Sequence, residues 1–149
     1  MSEIKSLQRM LVVQSLYQLS INKKEKVSDL ENFFTDIVDT SNFNKLKKKS
    51  NLNFAIYIFN GVTKNINSIN LDISKSLGVS HNFNKMETLL KCIFRPAVFE
   101  LNYGPKISKK VIIKEYLKIT DSFYSEKEAS LVNGVLANVK KNHNLPSFE

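Results

Sequence analysis

The chain has 149 residues with 42% hydrophobic content, and its Lys and Arg outnumber Asp and Glu by 22 to 14 for a net charge of +8. That length supports one substantial core, or two small bundles sharing one, and no apolar run is long enough to span a bilayer. The opening Met1-Ser2-Glu3-Ile4-Lys5 lacks the basic start and apolar run of a signal peptide, so a cytoplasmic protein is expected, and the single Cys92 excludes an internal disulfide.

Apolar spacing is helical almost throughout, beginning with a first helix around Val13-Gln14-Ser15-Leu16-Tyr17. A polar linker from Ile21 to Val27, with Lys23, Lys24 and Lys26, leads to a second helix. There Leu30, Phe33, Phe34 and Ile37 fall at i, i+3, i+4 and i+7, and Ser28 with Glu31 predicts a capping box at its entry. The lysine-rich stretch from Thr40 to Asn53 predicts a solvated loop. The next stripe is Phe54, Ile58, Phe59, Val62 and Ile66, followed by Ile69, Ile73 and Leu77, with Gly78 as the natural stop. Met86, Leu89, Leu90, Ile93, Ala97 and Leu101 mark a helix whose second face carries Phe94 and Val98, so burial nearly all round is expected. Pro96 inside it removes the N–H that would bond the Cys92 carbonyl, which predicts a kink, a break or a new helical start. Gly104-Pro105 closes this helix. The last one begins at a second capping box, Ser125 with Glu128, and continues through Val132, Val135, Leu136 and Val139.

No stretch alternates with a period of two, and both Asn-Gly pairs, at Gly61 and Gly134, sit inside helical stripes. The expected fold is all-α, about seven helices, arranged as two small bundles sharing one core. Residues 1–149 form one domain in this reading, with an N-terminal half over about 1–80 and a C-terminal half over about 81–149. Gly134 inside an apolar helix costs about 1 kcal/mol against alanine, which predicts a close approach by another helix there.

Catalytic and metal chemistry find no support in the residue pattern. The four glycines, Gly61, Gly78, Gly104 and Gly134, are too scattered for a phosphate-cradling loop. His81, His143 and Cys92 lack a metal-ligand spacing, and the apolar neighbours Ile93 and Phe94 predict a buried, unreactive thiol. Glu100 and Glu115 fit ion-pair partners on packed helices better than a catalytic carboxylate pair. No catalytic residue, metal or cofactor is expected. The basic excess instead favours a polyanion through attraction and counterion release, and because Arg9 and Arg95 are the only arginines, forked guanidinium contacts can contribute little.

Four segments carry a resemblance to a known family: Val13-Gln14-Ser15-Leu16-Tyr17, FRPAVFEL from Phe94 to Leu101, Lys109-Lys110-Val111-Ile112-Ile113-Lys114-Glu115, and LVNGVLANV from Leu131 to Val139. The chain resembles the NusB transcription antitermination factors, whose corresponding segments read roughly VQxLY, LRLAxYEL, VxINExVxLAK and FVNGVLD. The match is unbroken from about Cys92 to Val139, with a second anchor from Gln8 to Leu19. Between Asn22 and Lys85 it holds only in the helical pattern. The resemblance implies an all-helical, non-enzymatic RNA-binding factor that pairs with ribosomal protein NusE on boxA-like RNA in ribosomal RNA transcripts and acts within the transcription elongation complex.

It also implies where contacts fall. The N-terminal segment leading into the first helix offers Lys5, Gln8, Arg9 and Gln14, with Lys5 and Arg9 one turn apart on one face in place of the family's arginine run. The start of the last helix offers Lys127, where the family often has an acidic or polar residue, and Leu131, where an aromatic is usual. Tyr17 matches the family tyrosine and is expected to face the partner protein. Two other readings stay open: a divergent helical scaffold or homodimer without specific RNA readout, and an accessory RNA-binding domain serving a separate ribosomal RNA methyltransferase.

Overall fold

A computed structural model describes residues 2–23, 27–41, 43–79 and 81–139; Lys24, Lys26 and His143 lie outside the described residues. Among these residues there are seven α-helices and no strand: α1 Ser2–Ile21, α2 Leu30–Thr40, α3 Asn53–Lys64, α4 Ile66–Ser76, α5 Thr88–Asn102, α6 Lys109–Phe123 and α7 Glu126–Asn138. The all-α expectation, including the number of helices, holds.

Two helices organise the rest. α5 packs against α1, α3, α4, α6 and α7, while α1 also touches α2, α3 and α6. The apolar stripes read from the sequence converge on this pair: Leu11, Val12 and Val13 of α1, Ile58 and Val62 of α3, Ile69 and Ile73 of α4, and Ile93, Phe94 and Val98 of α5 are all sealed from solvent in one contiguous cluster. Cys92 lies in that cluster, and burial pushes its thiol pKa up, as an inert core cysteine requires.

Several local expectations need correction. α5 runs without interruption through the buried Pro96, so no break or restart occurs there. The proline's fixed φ suits a helix, and packing by the surrounding helices compensates for the missing backbone bond. α2 starts one residue later than the expected box. Asp29, not Ser28, is its N-cap and accepts from the Asn32 amide at 3.0 Å, because a carboxylate beside the first turn satisfies the same orphan N–H. Ser125 does precede α7, but its hydroxyl donates to the Glu128 carboxylate (2.8 Å) instead of accepting from an amide. The segment between α2 and α3 is no plain solvated loop: its two 3-10 turns, Asn44–Leu46 and Lys49–Leu52, bury Leu46 and Leu52 under α1 beside Phe43.

The two helical glycines exchange roles. A Cβ on Gly134 would meet nothing within 4 Å, so no helix among the described residues crosses it closely. A Cβ on Gly61 would lie 2.1 Å from two atoms of the buried Phe99 ring, and α3 approaches α5 through that missing side chain.

Candidate nucleic-acid interface

The N-terminal end of α1 shows how little sequence proximity says about exposure. Lys5 is exposed, with its ammonium 5.1 Å from the centre of the Phe54 ring, and the Arg9 guanidinium stands at the same 5.1 Å from that ring. The shared face expected from their spacing is therefore present. Their environments differ entirely. Arg9 is only 4% exposed: its Nε and Nη2 donate in a fork to the two oxygens of Glu100 at 2.8 and 2.9 Å, and Nη1 donates to Glu115 at 3.2 Å.

The network extends further. The buried Tyr116 hydroxyl donates to Glu100, Ser6 donates to Glu115, and Lys118 pairs with the second Glu115 oxygen at 2.7 Å. Burial alone would lower the Arg9 pKa, but the bonds to Glu100 and the neighbouring acidic groups outweigh it, and the net shift is upward. Burial likewise pushes Glu115 up, yet hydrogen bonds from Lys118 and Ser6 and the charges of Lys118 and Arg9 bring its carboxyl below the ordinary range. Burial, reinforced by the Glu100 charge, holds the Tyr116 phenol well above its usual value. These groups join α1, α5 and α6, matching the ion-pair role expected for both glutamates.

Gln8 is 4% exposed as well, and its Oε1 accepts from the Ala55 amide at 3.0 Å. Leu52, at the N-cap of α3, has no side-chain acceptor, so Gln8 supplies the cap from a different helix. Two of the expected RNA contacts, Gln8 and Arg9, are thus turned inward and engaged, while Gln14 and Tyr17 further along α1 are half-buried.

Lys127 and Leu131 come together at the far side. Both line a cavity of about 720 Å³ between the start of α7 and the start of α5, shared with His81, Lys85, Met86 and Leu90. Lys127 is exposed and Leu131 half-buried against the core. At its edge the Tyr124 hydroxyl donates to Glu87; burial and then this bond raise the phenol's pKa, with Tyr17 also within electrostatic range. Tyr17 of α1 thereby stands near the entrance to α7, whereas Lys5 lies about three turns away along α1. Phe54, the ring under Lys5 and Arg9, was legible only as a member of an apolar stripe, and Tyr124, at the turn between α6 and α7, had no signal in the sequence.

The comparisons with known proteins decide the family. The sequence profile of the NusB family matches residues 6–141. The chain belongs to the NusB family. A transcription antitermination protein NusB from Clostridium botulinum is 30% identical over 137 residues, covering 92% of this chain and 98% of that relative. Among solved structures, Thermotoga maritima NusB ("T. maritima NusB") superposes with a TM-score of 0.74 at 24% identity, covering 90% of this chain and 88% of that one. A crystal structure of antitermination factors NusB and NusE in complex with dsRNA gives 0.76 at 18% identity, with 93% and 97% covered. The NusB-like fold expected from the sequence is the fold observed, and the chain is a member of a family of transcription antitermination proteins. Among the described residues no helix is long and apolar enough to cross a membrane.

Proposed function

We propose that this chain is a non-enzymatic RNA-binding antitermination factor of the cytoplasm, which pairs with ribosomal protein NusE to bind boxA-like RNA and joins the transcription elongation complex. The observation that carries the reading is the family match over residues 6–141, and the fold likeness to a NusB–NusE–RNA complex supports it. A net charge of +8 favours the first step, electrostatic docking with counterion release. Recognition of splayed single-stranded bases follows.

In this proposal Lys5 and Lys127 meet phosphates, the Gln14 amide hydrogen-bonds RNA, and Leu131 offers apolar contact to a base at the mouth of the α7 cavity. Tyr17 faces NusE. Gln8 and Arg9 act indirectly, by fixing the end of α1 that presents Lys5. Lysine in place of a forked guanidinium preserves attraction but gives less geometric readout.

The test is binding of labelled boxA-like RNA and a scrambled control, with and without NusE, across a salt series. Tighter, sequence-selective binding by the pair is expected. Equal weak binding to both RNAs, unchanged by NusE, overturns the reading.

A further inference from the structure

Among the described residues Arg95, unlike Arg9, has no acidic partner. It projects from α5 into a half-buried position where its Nε donates to Asn70 Oδ1 at 3.0 Å and its guanidinium lies 5.5 Å from the centre of the Phe83 ring. Among the described residues no carboxylate pairs with it, and its two terminal nitrogens have no hydrogen-bond partner. Desolvation lowers its pKa, the direction expected of a cation withdrawn from water without a counter-charge. A half-buried guanidinium whose four terminal N–H groups have no partner among the described residues is well suited to donate to an anion in a fork.

The space beside it fits that purpose. Arg95 lines a cavity of about 650 Å³ with Leu16, Leu19 and Ser20 of α1, Val62 and Thr63 of α3, Ile66 of α4, and Lys23 just beyond α1. This volume lies in the range that holds a ligand or a few side chains. The walls distinguish between anions. Lys23, Ser20 and Thr63 suit either anion, but a hydrated phosphodiester gains nothing from the four aliphatic side chains, whereas a carboxylate adjoining an apolar group satisfies both the guanidinium and those walls. The cavity also lies toward the C-terminal end of α1, with Leu16 and Leu19 about 17 and 21 Å along the helix from Lys5 at ~1.5 Å per residue, so it is separate from the N-terminal basic end.

We propose that the cavity beneath Arg95 is a docking site for a protein partner's acidic-apolar segment, in which an Asp or Glu carboxylate is forked by Arg95 and a neighbouring Leu- or Phe-type side chain seats on Leu16, Leu19, Val62 and Ile66. This inference does not depend on RNA recognition by the α1 and α7 surfaces. Its charge logic is that of a basic protein presenting a guanidinium that has no acidic partner among the described residues, beside four aliphatic side chains of one cavity.

The experiment is a nuclear magnetic resonance titration of the full chain with two capped tripeptides, acetyl-Phe-Glu-Leu-amide and its glutamine isostere. The Glu peptide should shift the Arg95 Nε–H resonance and the amides of Leu19, Thr63 and Ile66 saturably, with roughly tenfold weaker binding of the Gln peptide, a factor equal to about 1.4 kcal/mol. Arg95→Gln should remove the preference for Glu. Thr63→Phe, which narrows the cavity from its lining while keeping Arg95, should weaken both peptides and so keeps the test valid if Arg95→Gln fails to fold. Equal binding of the two peptides, shifts elsewhere on the molecule, or no saturable shift at millimolar peptide would overturn the proposal. So would a single-stranded RNA that shifts the same resonances and loses affinity in Arg95→Gln, since the site would then serve nucleic acid.

Discussion

The seam between α1, α3, α5 and α6 and the surfaces at the C-terminal end of α1 and along α7 use the same residue types to opposite ends. In the seam, Arg9 is held by two carboxylates, Gln8 caps a foreign helix, and Gly61 makes room for Phe99. At the surfaces, Arg95 has no acidic partner among the described residues, and Gly134 adjoins empty space. The lesson is that residue type and helical register are not enough to separate scaffold from surface: the separation is made by what packs over the residue. The seam's Arg9, Gln8 and Glu115 are satisfied and therefore structural, while a cation left without an acidic partner nearer the surface is available to partners.

The strongest way to break this comparison is to remove both arginines in turn. Arg9→Met strands two glutamates in the interior and should cost about 3–5 kcal/mol, whereas Arg95→Met should cost within about 1 kcal/mol, since it loses one neutral-acceptor hydrogen bond and a ring contact. Chemical denaturation of the two variants measures the difference, and equal losses would erase the distinction. The glycines give a change of sign. Gly61→Ala should destabilise by about 1–3 kcal/mol through overpacking against Phe99, while Gly134→Ala should stabilise by up to about 1 kcal/mol through helix propensity alone. Thermal melts of both read the two directions together.

Gln8→Ala should cost about 1 kcal/mol by leaving the Ala55 amide without its acceptor, with Gln8→Glu restoring part of the loss; denaturation midpoints check both. The smallest effect concerns pH. Because the folded-state pKa of Glu115 is lowered, its stabilisation is fully present above its unfolded value near 4.5 and is lost as pH falls through the folded value. Glu115→Gln should flatten that part of the stability profile below about pH 4.5, and a stability difference from the parent that does not shrink on acidification would contradict the assignment.

The helices were legible from periodicity, because burial of one face repeats along the chain. So were the inert Cys92 and the structural glutamates, since long apolar surroundings leave a carboxylate few options but pairing. What covers each face was not legible. The i, i+4 spacing puts Lys5 and Arg9 side by side, yet only the arrival of α5 and α6 decides that one is in solvent and the other sealed. Gln8 and Ala55 are far apart in the chain, and no local pattern announces a cap supplied from another helix. Asn60-Gly61 and Asn133-Gly134 are the same dipeptide in similar stripes, distinguished solely by Phe99. The lysines between Thr40 and Asn53 masked Phe43, Leu46 and Leu52 because average polarity hides three well-placed anchors. Lys127 and Leu131 were nominated by family resemblance, and the cavity they share belongs to tertiary structure alone.

The most direct test of the account is the salt dependence of boxA-like RNA binding by the NusE pair, comparing the parent chain with a Lys5→Ala, Lys127→Ala double variant. Two lost phosphate contacts should weaken binding and make the log–log salt slope shallower by roughly 1.4, at about 0.7 per contact for a single strand. An unchanged affinity and slope would show that RNA is held elsewhere and would contradict the assignment of these surfaces.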